Sequence, residues 1–183
     1  MVANENKQVP FGYEPPQEVR TGTLIVYGDF TDIAVSGLAE VYRFAGLRGF
    51  DRIVLYPIHE ETGRRMGLAE LSPYYRRVQE LEAAMEEAEP YLPVRARALL
   101  DQWEGKRKKY TPVDTALAFL TEKHRGPFFV WMPERLALKW AGYDSFKEWI
   151  RQLRLVVAPP AAGARHPLLE EYASRWEYAR PME

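Results

Sequence analysis

The chain has no cysteine and only three histidines, and these scarcities limit its chemistry before any motif is considered. Without cysteine it can form no disulfide framework, thiol nucleophile or thiolate metal site. Its 25 Lys and Arg and 26 Asp and Glu nearly cancel, so no overall field attracts nucleic acid or an anionic membrane. No apolar run approaches the roughly 18 residues that span a bilayer, and the first 22 residues lack the layout of a secretory signal. We therefore expect a cytoplasmic protein without a nucleic-acid or membrane partner.

What the chain does contain suits one α/β domain. It has 183 residues, of which 46% are hydrophobic, enough to bury a sizeable core. Four short apolar runs are typical of buried parallel strands: 23–27, 52–56, 128–131 and 153–158. Helical patterns lie between them, and this alternation predicts a doubly wound parallel sheet of about five strands.

Prolines, glycines and changes in composition predict where the segments begin and end. We expect an extended tail over 1–22, the α/β domain over 23–160, and a helical tail over 161–183 packed on the domain.

The same signals predict several helix starts and one loop. Ser36 should cap the first helix and Ser72 the second long one, with Pro73 at the first helical position. Residues 60–71 resemble a loop. Two helices are expected at 94–109, where spacing favours helix over strand, and at 167–179.

A ligand should lie where the first strand ends. In open parallel sheets ligands bind beyond the carboxyl ends of the strands, and Gly28 would allow close backbone approach there. The loop after Gly28 leads to a helix that begins near Ser36, and free N–H groups at that end favour phosphate. An ordinary turn glycine is the alternative interpretation of Gly28.

Several blocks resemble those of the nicotinate-nucleotide adenylyltransferases. Residues 27–38, YGDFTDIAVSGL, are similar to the family signature G-G-[ST]-F-D-P-[IV]-H-x-G-H. Further similar blocks follow in the family's order and near its spacing: 50–57, 110–117, 128–136, 146–149 and 155–159. The resemblance implies a Rossmann-like nucleotidyltransferase fold over about residues 23–160.

The resemblance also implies a chemistry connected with NAD biosynthesis. Such enzymes use ATP and Mg²⁺ to transfer adenylate to nicotinic acid mononucleotide or nicotinamide mononucleotide, with in-line attack on the α-phosphorus. Positioning and charge stabilisation carry such a reaction. The implied nucleotide-binding positions are Gly28, Asp29, Phe30, Ser36, Thr111, Thr115, Glu134 and Trp149.

The pattern is broken at the positions of the family's catalytic histidines, which are Ala34 and Gly37 here. Loss of one preorganised donor costs about 10²–10³ in rate, so we expect impaired or lost adenylyl transfer with a nucleotide still bound. Met132 stands where the family has a glycine near adenosine, and Pro160 replaces an arginine. His59 is the one histidine near a strand's carboxyl end and thus a catalytic candidate, although an exposed loop histidine is the common case.

Other functions stay open at this point. An active nucleotidyltransferase could use other residues and another phosphate acceptor, with Mg²⁺ as its cofactor; we predict no metal site built by the protein alone. The basic run 106–109 could grip phosphates or form a solvated helix end. A non-enzymatic interaction module or a homo-oligomer could dock through aromatic residues expected to be exposed in the tails, namely Phe11, Tyr13, Trp176 and Tyr178.

Overall fold

The structure is a computed structural model that describes residues 22–158 and 166–179. Its strands are β1 Thr23–Gly28, β2 Arg52–Pro57, β3 Arg97–Leu100, β4 Phe128–Met132, β5 Arg154–Val157 and β6 Trp176–Tyr178. Its helices are α1 Val35–Arg48, α2 Glu60–Arg65, α3 Tyr74–Ala88, α4 Trp103–Arg107, α5 Val113–Lys123, α6 Glu134–Ala141, α7 Phe146–Gln152 and α8 Pro167–Glu171. Single 3₁₀ turns cover Glu89–Tyr91 and Ala173–Arg175.

All six strands form one parallel sheet in the order β3-β2-β1-β4-β5-β6. Ile25 in β1 lies between Val54 of β2 and Val130 of β4, which places β1 in the interior of the sheet. The strand order reverses between β1 and β4, so this pair forms the topological switch point. The predicted α/β doubly wound sheet is confirmed, with six strands where about five were expected.

Helices cover both faces of the sheet, and each face has its own apolar core. Side chains alternate along β1, so Ile25 and Tyr27 pack on one face and Leu24 and Val26 on the other. Because neither face meets water, β1 is apolar throughout rather than alternating. This double burial explains why the apolar runs of the sequence correctly marked the inner strands.

The two edge strands differ from the expectation. Residues 94–109 contain β3 and the short helix α4 rather than one helix, and Arg97 donates from its backbone to Asp51 O at 2.9 Å. The helix predicted over 167–179 stops at Glu171, and β6 pairs with β5 instead. In both places a free sheet edge offers backbone partners that the spacing of apolar residues does not reveal.

The starts of three helices also differ. The cap residue of α1 is Ala34, which makes no side-chain cap bond, and Ser36 lies inside the first turn. The helix α3 follows Pro73 without a side-chain cap from Ser72. Residues 60–71, predicted as a loop, contain α2.

The remaining helices and the membrane prediction are simpler. The helices α5, α6 and α7 begin within about two residues of the predicted positions. The predicted tail (apart from Gly22) and the stretch 161–165 lie outside the described residues. Within the described part of the chain, no helix has the length and apolar character needed to cross a bilayer.

Candidate functional site

The switch point brings together the ends of β1, β2 and β4. Gly28 ends β1 and is buried, and its carbonyl accepts from the Ile58 backbone at 2.9 Å. A Cβ at Gly28 would lie 3.4 Å from the Pro133 ring, which follows β4. Glu134 begins α6 directly after this proline, so the structure places two of the predicted positions, Gly28 and Glu134, at the same switch point.

The turn after β1 holds two non-glycine residues in the left-handed region. Phe30 has φ +55° and Asp32 has φ +50°, conformations that are uncommon for residues with a side chain. Phe30 is 9% exposed and packs into the core, whereas Asp32 is exposed. Backbone strain of this kind concentrates at ligand clamps and active sites, which marks the turn 29–34 as a candidate functional segment.

The strained turn leads to the N-terminus of α1. The first N–H groups of a helix have no intrahelical acceptor, and Ala34 has no side chain to cap them. Ala34 is exposed, and a Cβ at Gly37 would meet only Ile33 Cδ1 at 3.6 Å. The geometry therefore offers backbone donors at an exposed helix end, but no imidazole.

Arg77 ties the surrounding loops together and was missed by the sequence analysis. It is 1% exposed, and its guanidinium donates to the carbonyls of Asp29, Ile58 and Ser72, each at 2.8 Å. A fourth bond joins it to the Glu60 carboxylate at 2.9 Å. The only signal in the sequence is its spacing of four residues from Leu81 on the buried face of α3, where a cation needs partners.

Glu104 lies buried behind the end of β2 and was also missed. Its carboxylate accepts from the Tyr56 hydroxyl at 2.9 Å and from the backbone N–H of His59, and Thr62 adds a third hydrogen bond. Burial raises the pKa of Glu104 to about 7, against these hydrogen bonds and the Arg107 charge, which lower it. The same burial, with Glu104 beside it, raises the pKa of Tyr56.

His59, the predicted catalytic candidate, is half-buried and caps α2. Its Nδ1 accepts from the Glu61 backbone N–H at 3.1 Å, and its ring lies 6.4 Å from that of Tyr74. The residue meets Glu104 through its backbone. The imidazole therefore has a structural partner on one nitrogen.

The remaining predicted positions lie around α5 and α7. Thr111 is fully buried, donates its N–H to Thr62 Oγ1 at 3.0 Å and accepts from Arg107 Nε at 3.1 Å. Thr115 and Trp149 are half-buried, and Trp149 packs on the core.

The basic run and Glu134 also have internal contacts. Arg107 in the run 106–109 lies 4.8 Å from the centre of the Trp103 ring, and Lys108 adopts φ +56°. Glu134 accepts a hydrogen bond from the Tyr178 hydroxyl at 3.3 Å.

The prediction that the C-terminal aromatic residues are exposed is wrong. Trp176 is 9% exposed, and its Nε1 donates to Leu169 O at 2.6 Å. Tyr178 is half-buried in β6. Because β6 pairs with β5, both rings pack against the core on one face of the sheet. Phe11 and Tyr13 lie outside the described residues.

The donors present suit a magnesium ion carried by a nucleotide better than one held by the protein. Within residues 22–158 and 166–179, no group of three or more His, Asp and Glu side chains is placed to hold a metal ion. Magnesium at phosphates commonly needs only one or two carboxylates from the protein. Asp29 and Asp32 in the turn after β1 provide carboxylates of that kind.

Comparison with known proteins supports the fold. No family model and no curated protein matches the chain. Among solved structures, it is similar to a Plasmodium falciparum nicotinic acid mononucleotide adenylyltransferase in complex with NaAD, with TM-score 0.64, 12% identity, and coverage of 86% of this chain and 74% of that one. The same enzyme in complex with APC gives TM-score 0.60, 11% identity, and coverage of 86% and 73%. The chain thus has the nucleotidyltransferase fold of that enzyme.

Proposed function

We propose that this protein binds a nucleotide at the end of β1 and has impaired or lost adenylyl transfer. One observation carries the proposal: β1, at the switch point, ends in a turn with left-handed Phe30 and Asp32 that leads to the uncapped N-terminus of α1. The two similar structures are complexes with NaAD and APC, which fits a nucleotide ligand here. ATP, nicotinic acid mononucleotide and an NAD-like dinucleotide are the candidates, and a cytoplasmic location stays a prediction.

In the proposed complex, the backbone N–H groups at the start of α1 bind a phosphate, and Ser36 lies beside it. Glu134 would face the ribose, and Thr111, Thr115 and Trp149 a mononucleotide. Small residues at 34 and 37 leave the phosphate without a side-chain donor that strengthens in the transition state, which is the reason to expect impaired catalysis. Magnesium, if the protein is active, would neutralise phosphate charge, with Asp29 and Asp32 as the carboxylates of the turn.

Calorimetric titration of S36D and S36N with ATP, nicotinic acid mononucleotide and NAD tests the proposal. Ser36 is exposed in the first turn of α1, so an aspartate there would occupy the positive helix end and repel a phosphate. We expect S36D to bind the preferred ligand about tenfold more weakly, whereas the neutral S36N should bind like the wild type. No binding of any of the three ligands by the wild type would contradict the proposal.

The active-enzyme alternative is separated by a second measurement. Release of pyrophosphate from ATP or CTP by the wild type, across a panel of phosphate acceptors, would show transfer by residues outside the family motif. A homo-oligomer also stays a prediction, which light scattering on the full chain tests.

A further inference from the structure

A cleft of about 420 Å³ opens at the amino ends of the strands, whereas the proposed nucleotide site lies at their carboxyl ends. Its walls come from the starts of β1 and β2, the last residue of α5 and the loop before β4. The lining residues are Gly22, Thr23, Asp51, Arg52, Lys123, His124 and Arg125.

The cleft holds more positive charge than the structure neutralises. Lys123 forms an ion pair with Asp101 at 3.0 Å, and a cation at the end of α5 also suits the helix dipole. Arg52 and Arg125 lie outside helices, and neither forms an ion pair with a carboxylate in the described ranges. Among the residues that the structure describes, Asp51 is the one carboxylate that lines the cleft. Among the described residues no carboxylate therefore neutralises either guanidinium group, although Arg52 contacts the His124 ring.

The protonation of His124 is set by its neighbour. Arg52 Nη1 lies 3.3 Å from His124 Nδ1, and a guanidinium can only donate, so Nδ1 accepts and the ring proton lies on Nε2. Burial lowers the pKa of His124, Arg52 and Lys123 lower it further, and Asp101 opposes them. The ring is therefore a neutral donor, and its buried Nε2 has no hydrogen-bond partner in the part of the chain that the structure describes.

The floor of the cleft is tightly built. Thr23 donates its N–H to Pro127 O at 3.0 Å and its hydroxyl to Arg125 O at 2.8 Å. A Cβ at Gly22 would overlap the Pro127 carbonyl, so no side chain fits there. The loop that carries His124 and Arg125 is thus held against the start of β1, which reduces the ordering cost of binding.

We infer that this cleft binds a small phosphomonoester, with its phosphate between Arg52 and Arg125 and beside the His124 ring. Arginine recognises phosphate oxygens through paired donors, and a dianion would neutralise both guanidinium groups, which a single carboxylate cannot do. The cleft falls within the roughly 300–1,000 Å³ typical of small-molecule sites, so it leaves room for an organic group beside the phosphate.

The test is a proton NMR titration of the three histidine rings in the full chain, with His124 assigned from the variant H124Q. Inorganic phosphate and glycerol 3-phosphate are added at constant ionic strength, with chloride as the comparison. A bound anion favours the imidazolium form, so either phosphate should raise the pKa of His124. Tighter binding of glycerol 3-phosphate would show that the organic group contributes; equal binding would overturn the phosphomonoester and leave only a phosphate site.

Charge variants give opposite expectations. R125Q should weaken binding about tenfold, because one charge-assisted hydrogen-bonding group is lost. D51N, which removes the opposing charge, should strengthen binding several-fold. R135Q, in the exposed part of α6, is the matched control and should bind like the wild type.

The variant S36D separates this cleft from the nucleotide site. Its His124 signal should respond to glycerol 3-phosphate as in the wild type, because position 36 lies at the other edge of the sheet. A His124 signal that ignores both phosphates, equal affinity in R125Q and wild type, or loss of the response in S36D would each overturn the inference. The nucleotide proposal does not depend on any of these outcomes.

Discussion

At the scale of single residues, two buried charged groups shape the carboxyl edge of the sheet. Arg77 is fully supplied with acceptors, three of them backbone carbonyls. Glu104 is supplied with donors but not with an ion pair among the described residues. The two therefore respond differently to substitution and to pH.

Stability should fall as pH rises through the titration of Glu104. Its pKa is raised from 4.5 to about 7 in the folded protein, so folding favours the protonated form. The stabilisation is complete below pH 4.5 and is lost towards pH 7, by an amount on the order of 3 kcal/mol. Urea unfolding at pH 5 and pH 8 should show this loss in the wild type and not in E104Q. The control variant E82Q, at an exposed position, should lose as much unfolding free energy between pH 5 and pH 8 as the wild type. An equal loss in E104Q would show that Glu104 is not the group responsible.

Replacing Arg77 by methionine should destabilise the protein strongly. The substitution takes the donor from the buried Ile58 carbonyl and from two partly buried carbonyls, those of Asp29 and Ser72, and it leaves Glu60 without its partner. We expect a loss on the order of 3 kcal/mol. The neighbouring Arg76 is exposed, so R76M makes the same chemical change and should cost less than about 0.5 kcal/mol. Similar chemical denaturation midpoints for the two variants would show that Arg77 does not hold these loops.

At the scale of elements, the sequence predicted the interior of the sheet better than its edges. The runs that became β1, β2, β4 and β5 are apolar because both faces are covered. The edge strand β3 has only four residues, which are half-buried or exposed, and β6 has three. Such short segments carry no distinctive period, and the pairing that makes them strands depends on distant neighbours.

The helix α1 offers a matched pair of glycines with opposite expectations. Gly37 lies in its first turn without positive φ and with room for a methyl group, so G37A should stabilise the protein by about 0.5–1 kcal/mol. Gly49 ends the helix at φ +74°, so G49A should cost about 1–2 kcal/mol. Thermal unfolding of both variants measures the two signs. A destabilised G37A would mean that the first turn needs its glycine.

At the scale of the whole molecule, the sequence predicts the fold better than it predicts the contacts around the candidate site. The βαβ logic of the sequence predicts a doubly wound parallel sheet and a ligand near Gly28, beyond the end of β1. It does not predict the strand order, which only the structure gives. The contacts of Arg77 and Glu104 could not be predicted, because each joins segments far apart in the chain. Sequence patterns therefore predict where a ligand would bind, and only the three-dimensional arrangement reveals which buried groups shape that end of the sheet.

Introducing two imidazoles at the start of α1 tests whether this fold can support adenylyl transfer. The variant A34H/G37H places histidines where the adenylyltransferase signature has them, at positions with space for side chains. We expect pyrophosphate release from ATP and nicotinic acid mononucleotide to rise at least about a hundredfold over the wild type. The variant A34N/G37N controls for side-chain size. Unchanged release in a folded, ATP-binding A34H/G37H would show that the absence of these histidines is not what limits catalysis.

Arg77 binds Asp29 through the main-chain oxygen, a group that every amino acid carries. The position of the turn after β1 is thus fixed in part by a side chain of α3, 48 positions downstream. Exposed side chains of the turn, such as Asp32, can be exchanged without loss of that contact, whereas Phe30 packs into the core. The same backbone arrangement can therefore carry different exposed side chains, and with them a different chemistry, at the end of β1.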